Sequence, residues 1–79
     1  MTTYTTYETQ AAGNKWVVMV VEGNSNYISV RKATNNPFGM LGKDFANFEA
    51  AIANYKLPEL KSFLLLVSLG MAQQTAVFS

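Results

Sequence analysis

The sequence contains no cysteine and no histidine among its 79 residues. Without cysteine the chain forms neither disulfides nor thiolate metal sites. Without histidine it lacks the commonest metal ligand and the commonest general base. Charge is also scarce, since only 14% of the residues are charged and the formal net charge is +1. A nearly neutral chain indicates no general attraction to nucleic acid or to an anionic membrane, although a local basic patch is compatible with it.

Groups that typically carry out catalysis are few. The acidic residues stand singly, without the spacing of paired carboxylates or metal ligands: Glu8, Glu22, Asp44, Glu49 and Glu59. Nothing places a lysine beside a particular hydroxyl group, and the segment GMLGKDF lacks the spacing of a phosphate-binding loop. We therefore expect that the protein is not an enzyme and that it uses no cofactor and no metal.

Long apolar runs and a targeting signal are also lacking. Strongly apolar runs such as FLLLV are far shorter than the roughly 20 residues that cross a bilayer as a helix. The start of the chain, MTTYTTYETQ, has neither the basic nor the apolar region of a signal peptide. These features predict a cytoplasmic protein without a membrane partner.

What the chain does have is apolar surface, because 49% of its residues are hydrophobic. We expect residues 1–79 to form one small domain. A domain of this size is marginally stable alone and usually relies on a disulfide, a metal or a partner subunit. With cysteine and histidine absent, self-association is the expected source of extra stability, and we predict a homo-oligomer.

Three strands are predicted in the first half of the chain. TTYTTYETQ (2–10) is rich in Thr and Tyr, KWVVMVVE (15–22) is apolar on both faces, and YISVRKAT (27–34) alternates. The segments between them, AAGN and GNSN, have the composition of turns. Because the second strand is apolar on both faces, it needs its own core on one side and a second layer or another subunit on the other.

The second half contains one clear helical pattern, over about 44–55. Its apolar stripe recurs at helical spacing and is expected in the core: Phe45, Phe48, Ile52 and Tyr55. Asp44 suits the N-cap of this helix. The preceding segment NNPFGMLG (35–42) is predicted to be a loop, because proline and two glycines interrupt it.

The run LKSFLLLVSLGMA (60–72) fits two structures. Leucine favours helix, and Pro58 with Glu59 suits a first helical turn. The alternative is a buried strand over 61–69 that pairs with TAVFS at the end of the sequence. Periodicity does not distinguish the two in so short an apolar run. We favour the strand, because TAVFS needs a partner.

The segment GKDFANFEAAIANYKLPEL, after a Trp- and Val-rich hairpin, resembles a group of small proteins from marine phages (cyanophages) and ocean metagenomes with an Sm-like (LSm-like) fold. GNSNYISV is similar to the connection between strands two and three of Sm-like proteins, where Asn26 and Tyr27 match residues that hold a base. LGMAQQTAVFS resembles the last hairpin of that family, and Gly70 matches its glycine. The chain departs from the family at Leu69, where Arg or Lys is usual, and in its helix, which the family places first.

The resemblance implies a mainly β fold, a strongly bent five-stranded antiparallel Sm-like (SH3-like) barrel. The sequence pattern adds one α-helix, over about 44–55, after the third strand. The resemblance implies that copies of the barrel assemble edge to edge into a closed homo-oligomeric ring, which would remove exposed strand edges. It also implies binding of single-stranded RNA or DNA in a role in nucleic-acid processing. In a phage-encoded protein the location would be the cytoplasm of the host cell.

The candidate nucleic-acid site lies in SNYISVRKATNN (25–36). Tyr27 and Arg31 share one face of their strand, about 13 Å apart, which suits one stacked base and its phosphate. We assign base contacts to Asn26 and Tyr27 and backbone charge to Arg31. Lys32, on the opposite face by strict alternation, and Asn35 are further candidates, and the resemblance adds Gly70.

The alternative function is a structural or protein-interaction oligomer, for example a phage accessory protein, without nucleic-acid binding. In that case Asn26 serves the geometry of the hairpin turn. Arg31 then pairs with an acidic residue of a neighbouring strand, Glu22 or Glu8. The low net charge favours this alternative, and the face shared by Tyr27 and Arg31 favours nucleic-acid binding.

Overall fold

The structure, a computed structural model, describes residues 1–33 and 40–79. It is mixed α/β and mostly β, with a five-stranded antiparallel sheet in the order β4-β3-β2-β1-β5 and two helices. The elements in chain order are β1 (Thr3–Ala11), β2 (Asn14–Glu22), β3 (Tyr27–Ala33), β4 (Met40–Phe45), α1 (Phe48–Asn54), α2 (Pro58–Ser68) and β5 (Ala76–Phe78). The three strands predicted in the first half are thereby confirmed.

The hairpin between β1 and β2 turns through only two residues. Ala12 and Gly13 both have positive φ, 52° and 76°, as a tight type I′ turn requires. The turn predicted for AAGN is confirmed. Alanine is unusual in this conformation because its Cβ crowds the backbone. The Nδ2 of Asn14 donates to the Ala12 carbonyl at 3.2 Å and supports the turn.

One face of the sheet is covered by both helices, and we call it the covered face. In β2 and β3 the directly paired residues Val18 and Val30 are fully buried there. Ala51 of α1 and Leu60 and Leu64 of α2 complete the centre of this core. Full burial of a leucine or valine contributes about 1.5–3 kcal/mol, so this layer dominates the stability of the fold.

Aromatic side chains close the edge of the same core. Tyr55 stacks edge-on against Trp16 and Phe45, with ring centroids 5.9 Å and 5.8 Å apart. Trp16 donates its indole N–H to the Ala11 carbonyl at 3.2 Å. The expectation that the stripe Phe45, Phe48, Ile52 and Tyr55 packs in the core is confirmed.

The other side of the sheet we call the open face, because no described helix or strand lies over it. It carries the residues that alternate with the core positions, such as Val17 and Met19 of β2 and Tyr27 and Arg31 of β3. The prediction that Tyr27 and Arg31 share one face of their strand is confirmed. The second strand is therefore apolar on both faces, as expected, yet the described chain covers it on one side only.

The predicted barrel is wrong, since the sheet is neither closed nor strongly curled. β4 and β5 remain its two outer strands and do not pair with each other. The physical reason is the helical layer, which buries the apolar face that a barrel would bury by closing on itself. Five antiparallel strands are confirmed; strong bending and closure are not.

The helix predicted over about 44–55 after the third strand begins later and follows β4 instead. α1 starts at Phe48, and its N-cap is Asn47, whose Oδ1 accepts a hydrogen bond from the Ala50 N–H at 2.8 Å. Asp44, the expected cap, lies in β4 opposite Ser29. Both residues are good caps, and pairing of β4 with β3 takes Asp44 away from the helix.

The strand favoured over 61–69 is also wrong, because these residues form most of α2. Pro58 occupies the first helical turn, where its missing N–H costs nothing. TAVFS does form a strand, β5, but its partner is β1 at the sheet edge. α2 ends at Ser68, and Gly70, just beyond the C-cap Leu69, has a φ of 70°. There the Met71 N–H donates to the Leu66 carbonyl, as in a Schellman motif.

The described helices are short. Neither α1 nor α2 has the length and apolar character needed to span a membrane.

Candidate nucleic-acid interface

Three aromatic side chains lie in one cross-strand row on the open face. Tyr27 of β3 pairs with Val21 of β2, Val21 pairs with Tyr4 of β1, and Tyr4 pairs with Phe78 of β5. Tyr4 is 36% exposed and Phe78 is 58% exposed, while Val21 between its larger neighbours is buried. We call Tyr27, Tyr4 and Phe78 the aromatic row. It offers flat, partly accessible rings at one end of the open face.

Arg31 lies on the same face, two positions beyond Ser29 on β3. It pairs directly with Gly42 of β4, and a Cβ at Gly42 would lie 2.6 Å from the Arg31 Cγ. Glycine at this position therefore lets the arginine side chain lie close against β4. Its guanidinium reaches Asp44 at 3.6 Å, and both groups are about half exposed.

A second cation–anion pair lies on the open face near the β1–β2 hairpin. The Lys15 Nζ is 2.8 Å from the Glu8 Oε1, and both side chains are substantially exposed. Exposed ion pairs contribute only about 0–1 kcal/mol. Both pairs on this face are therefore weak enough for another anion to compete with the carboxylates.

Ser29 separates the aromatic row from Arg31 on β3. It is only 1% exposed although it lies on the open face, between Asp44 and Met19 in register. Its Oγ has no hydrogen-bond partner among the described residues. A buried hydroxyl without a partner costs about 1–3 kcal/mol, so Ser29 is a local weakness beneath this surface.

Of the residues proposed from the sequence, Tyr27 and Arg31 are brought to one face. Asn26 precedes Tyr27 in the β2–β3 connection, and its Oδ1 accepts a hydrogen bond from the Gly23 N–H at 2.8 Å. This bond gives Asn26 a role in shaping the turn. Arg31 does pair with an acidic residue, but its partner is Asp44 of β4 rather than Glu22 or Glu8.

The other proposed residues lie elsewhere. Lys32 pairs with Trp16 on the covered face, so it points away from Tyr27. Gly70 caps α2 rather than lying in a hairpin. Asn35 lies outside the described residues. The structure therefore brings together only part of the set that the sequence suggested.

Sequence reasoning missed Tyr4, Phe78 and Lys15 as members of the open face. Tyr4 and Tyr7 are three residues apart on one strand, so alternation alone assigns them to opposite faces. Alternation therefore separated the two tyrosines, but the sequence did not show which of the two faces the helices cover. Phe78 joins the row only through the register of β5 with β1, which is set by tertiary contacts rather than by local pattern.

Two further properties of the described residues concern metal binding and titration. No group of three or more acidic side chains there is arranged to hold a metal ion. On the covered face, burial raises the pKa of the Tyr55 hydroxyl above its ordinary value of 10.0. The Tyr55 ring also packs against Trp16 and Phe45, so Tyr55 acts as a core residue.

Comparison of the chain with protein-family models, with curated proteins and with solved structures finds no match. The established description is therefore a small protein with a five-stranded antiparallel sheet and two helices.

Proposed function

We propose that this protein is a non-catalytic binding protein whose open face binds single-stranded RNA or DNA. The observation that carries the proposal is that the aromatic row and two cations, Arg31 and Lys15, lie together on the open face. Single-strand binding proteins typically combine stacking platforms with positive groups that contact the backbone.

The aromatic row supplies the stacking surface. Tyr4 and Phe78 lie on neighbouring strands, which are about 4.8 Å apart, and Tyr27 lies two strands from Tyr4. Each stacked base contributes about 1–3 kcal/mol and tolerates any sequence. Binding through this row is therefore expected to discriminate little between bases.

The cations supply phosphate contacts at the other end of the same face. Arg31 lies four residues from Tyr27, or about 13 Å along β3, so a base on the row and a backbone phosphate on Arg31 belong to one short strand. The carboxylates of Asp44 and Glu8 hold Arg31 and Lys15 in place when no ligand is bound. This arrangement is compatible with the low net charge of the chain.

The resemblance to Sm-like proteins adds a homo-oligomeric ring to the proposal. Ring closure would pair β4 of one copy with β5 of the next, since these are the free outer strands. β5 has only three residues and offers few backbone hydrogen bonds. Native mass spectrometry, which counts subunits directly, tests this part of the proposal.

The function is tested by fluorescence anisotropy with labelled oligo(U) and oligo(dT) at 50 mM and 200 mM salt. We expect micromolar binding at low salt. For two phosphate contacts on a single strand, the logarithm of the association constant should fall with the logarithm of salt with a slope of about −1.4. Absence of micromolar binding at 50 mM salt would contradict the proposal.

Tyr27→Ala localises the interaction. Loss of one stacked base should weaken binding about 5- to 100-fold, while circular dichroism and the elution volume stay as in the parent. Lys56→Ala is the matched charge control, because Lys56 is exposed between α1 and α2. If Lys56→Ala weakens binding as much as Tyr27→Ala, the open face is not the site.

The alternative function, a structural or protein-interaction oligomer, is favoured by a different surface. The outer side of α2 exposes several leucines that nothing in the described chain covers. A protein that self-associates there and shows no affinity for either oligonucleotide would fit this alternative.

A further inference from the structure

α2 is apolar on two opposite sides, although it packs against the sheet with one of them. Its inner side carries the buried residues Leu60, Leu64 and Val67. At 100° per residue, Leu65, Leu66 and Leu69 point in the opposite direction. They are 51%, 41% and 62% exposed. A helix that is apolar all round is normally buried all round, so this exposure requires an explanation.

Met71 extends the exposed surface past the end of the helix. It is 70% exposed, and its N–H donates to the Leu66 carbonyl, which holds it against the last helical turn. We call Leu65, Leu66, Leu69 and Met71 the α2 outer surface. Leu69 lies four residues from Leu65 and three from Leu66, so the three side chains are neighbours on the helix surface. The hydrogen bond from the Met71 N–H to the Leu66 carbonyl brings Met71 beside them, and the four form one continuous patch.

From this patch we infer that the α2 outer surface is a two-fold interface with a second copy of the same chain. The inference does not depend on nucleic-acid binding, because the open face lies on the other side of the sheet. Two copies would pack α2 against α2, with the middle of the patch, Leu65 and Leu66, nearest the symmetry axis. In such an interface the same patch is buried on both subunits.

Charge supports a second copy as the occupant. No charged side chain follows Lys61 in the sequence, so α2 from Ser62 onward and the segment leading into β5 are uncharged. At a two-fold axis each residue faces its own counterpart, and any charge there would meet the same charge. A lipid surface is less suitable, since helices that lie on membranes typically carry several Lys or Arg on their polar side. α2 has only Lys61.

The area also fits. The four side chains leave roughly 400 Å² of apolar surface uncovered, about half of the 800 Å² per partner that a standard interface buries. The remainder would come from a polar rim, for which Ser62, Ser68, Gln73 and Gln74 are available around the patch. An interface of 800 Å² is about 15% of the 5202 Å² surface of one chain.

Sedimentation equilibrium of the full chain tests the inference. We expect a particle of twice the 8.7 kDa chain mass at tens of micromolar, whereas the alternative assembly, a ring closed through β4 and β5, would give a larger particle. The double variant Leu65→Lys/Leu69→Lys places like charges across the axis and should raise the dimer dissociation constant at least 100-fold. The matched control, Ala50→Lys/Ala53→Lys, adds the same charge at exposed positions of α1 and should leave the dimer intact.

A cysteine cross-link keeps the inference testable if the lysine variant does not fold. Because the chain has no cysteine, Leu65→Cys introduces a unique thiol, which should form a disulfide-linked dimer under mild oxidation. Ala53→Cys, on the exposed side of α1, should not.

Four results would overturn the inference. The first is a monomer at all concentrations, and the second is a dimer that both lysine variants retain. The third is a monomer that co-sediments with phosphatidylcholine–phosphatidylserine vesicles, because it would assign the patch to lipid. A particle of more than two subunits that persists in Leu65→Lys/Leu69→Lys would assign assembly to the sheet edges and would also overturn the inference.

Discussion

The two faces of the sheet are built from the same strands but differ in what covers them. On β2, Val18 is fully buried beneath the helices, while its neighbour Val17 is only half buried on the open face. Both faces are apolar enough to need cover, and the described part of the chain supplies a layer for one. Local pattern therefore specifies how much surface must be buried, whereas the placement of α1 and α2 decides which surface remains available for partners.

The largest expected difference between the faces is in packing. Val18→Ala should lower the free energy of unfolding by about 2–3 kcal/mol, because it opens a cavity in a closely packed core. Val17→Ala removes the same atoms from the open face, where solvent fills the space, and should cost about 0.5–1 kcal/mol. Urea denaturation of both variants measures the difference. Equal losses would show that something also covers the open face.

The helical layer over the covered face depends on how α1 begins. Asn47→Ala removes the side-chain oxygen that accepts the Ala50 N–H, and should lower the free energy of unfolding by about 1 kcal/mol. Asp44→Ala is the matched variant at the residue that the sequence favoured as the cap. It loses only an exposed ion pair, so its cost should stay below about 0.5 kcal/mol. Thermal unfolding distinguishes the two, and the reverse order would assign the cap to Asp44.

On the open face, Ser29 offers a substitution expected to stabilise the protein. Ser29→Ala removes a buried hydroxyl that has no partner among the described residues, and leaves the rest of the side chain in place. The free energy of unfolding should rise by about 0.5–1 kcal/mol. Chemical denaturation provides the measurement. A loss of stability above about 0.5 kcal/mol would show that the hydroxyl has a bond that this structure lacks.

The smallest effect concerns pH on the covered face. Burial raises the pKa of Tyr55, so the folded state holds the phenolic proton more tightly than the unfolded state does. As pH rises past 10, the unfolded chain ionises first and the free energy of unfolding falls. In Tyr55→Phe this fall should be less steep between pH 9 and 11. Tyr4→Phe on the open face is the matched control, and an unchanged slope in Tyr55→Phe would contradict the assignment.

The sequence allowed the central strands to be predicted because their signals are local. Alternation in β3 and the β-branched residues of β2 identified both strands and placed Tyr27 and Arg31 on one face. β4 was missed, because Gly42 and the preceding proline and glycine indicate a loop. Only pairing with β3 makes Met40–Phe45 a strand.

The predictions for the two helices failed where the sequence pattern fits two residues, or two structures, equally well. Asp44 and Asn47 are both good caps, and strand pairing decides between them. The apolar run of α2 fits a buried strand or a helix equally well by composition. The edge of β1 is occupied by β5, so the run has no strand partner there and packs as a helix.

The candidate site was predictable only in part for the same reason. Tyr27 and Arg31 lie on one strand, and strand periodicity relates them directly. Tyr4 and Phe78 join them through pairings between residues that are distant in sequence. The resemblance to Sm-like proteins pointed to Gly70, which the structure instead uses to end α2.

The most direct test of the account compares two adjacent basic residues on opposite faces. Arg31 lies on the open face, on the same strand as Tyr27 of the aromatic row. Lys32 lies on the covered face, opposite Trp16. Arg31→Ala and Lys32→Ala each remove one positive charge, so a difference between them in the anisotropy titration with oligo(U) at 50 mM salt shows which face of the sheet contacts the oligonucleotide. We predict that Arg31→Ala weakens binding about 5- to 30-fold and reduces the dependence of the association constant on salt. Lys32→Ala should change affinity less than about two-fold. Equal losses, or a larger loss in Lys32→Ala, would contradict the claim that the open face binds the strand.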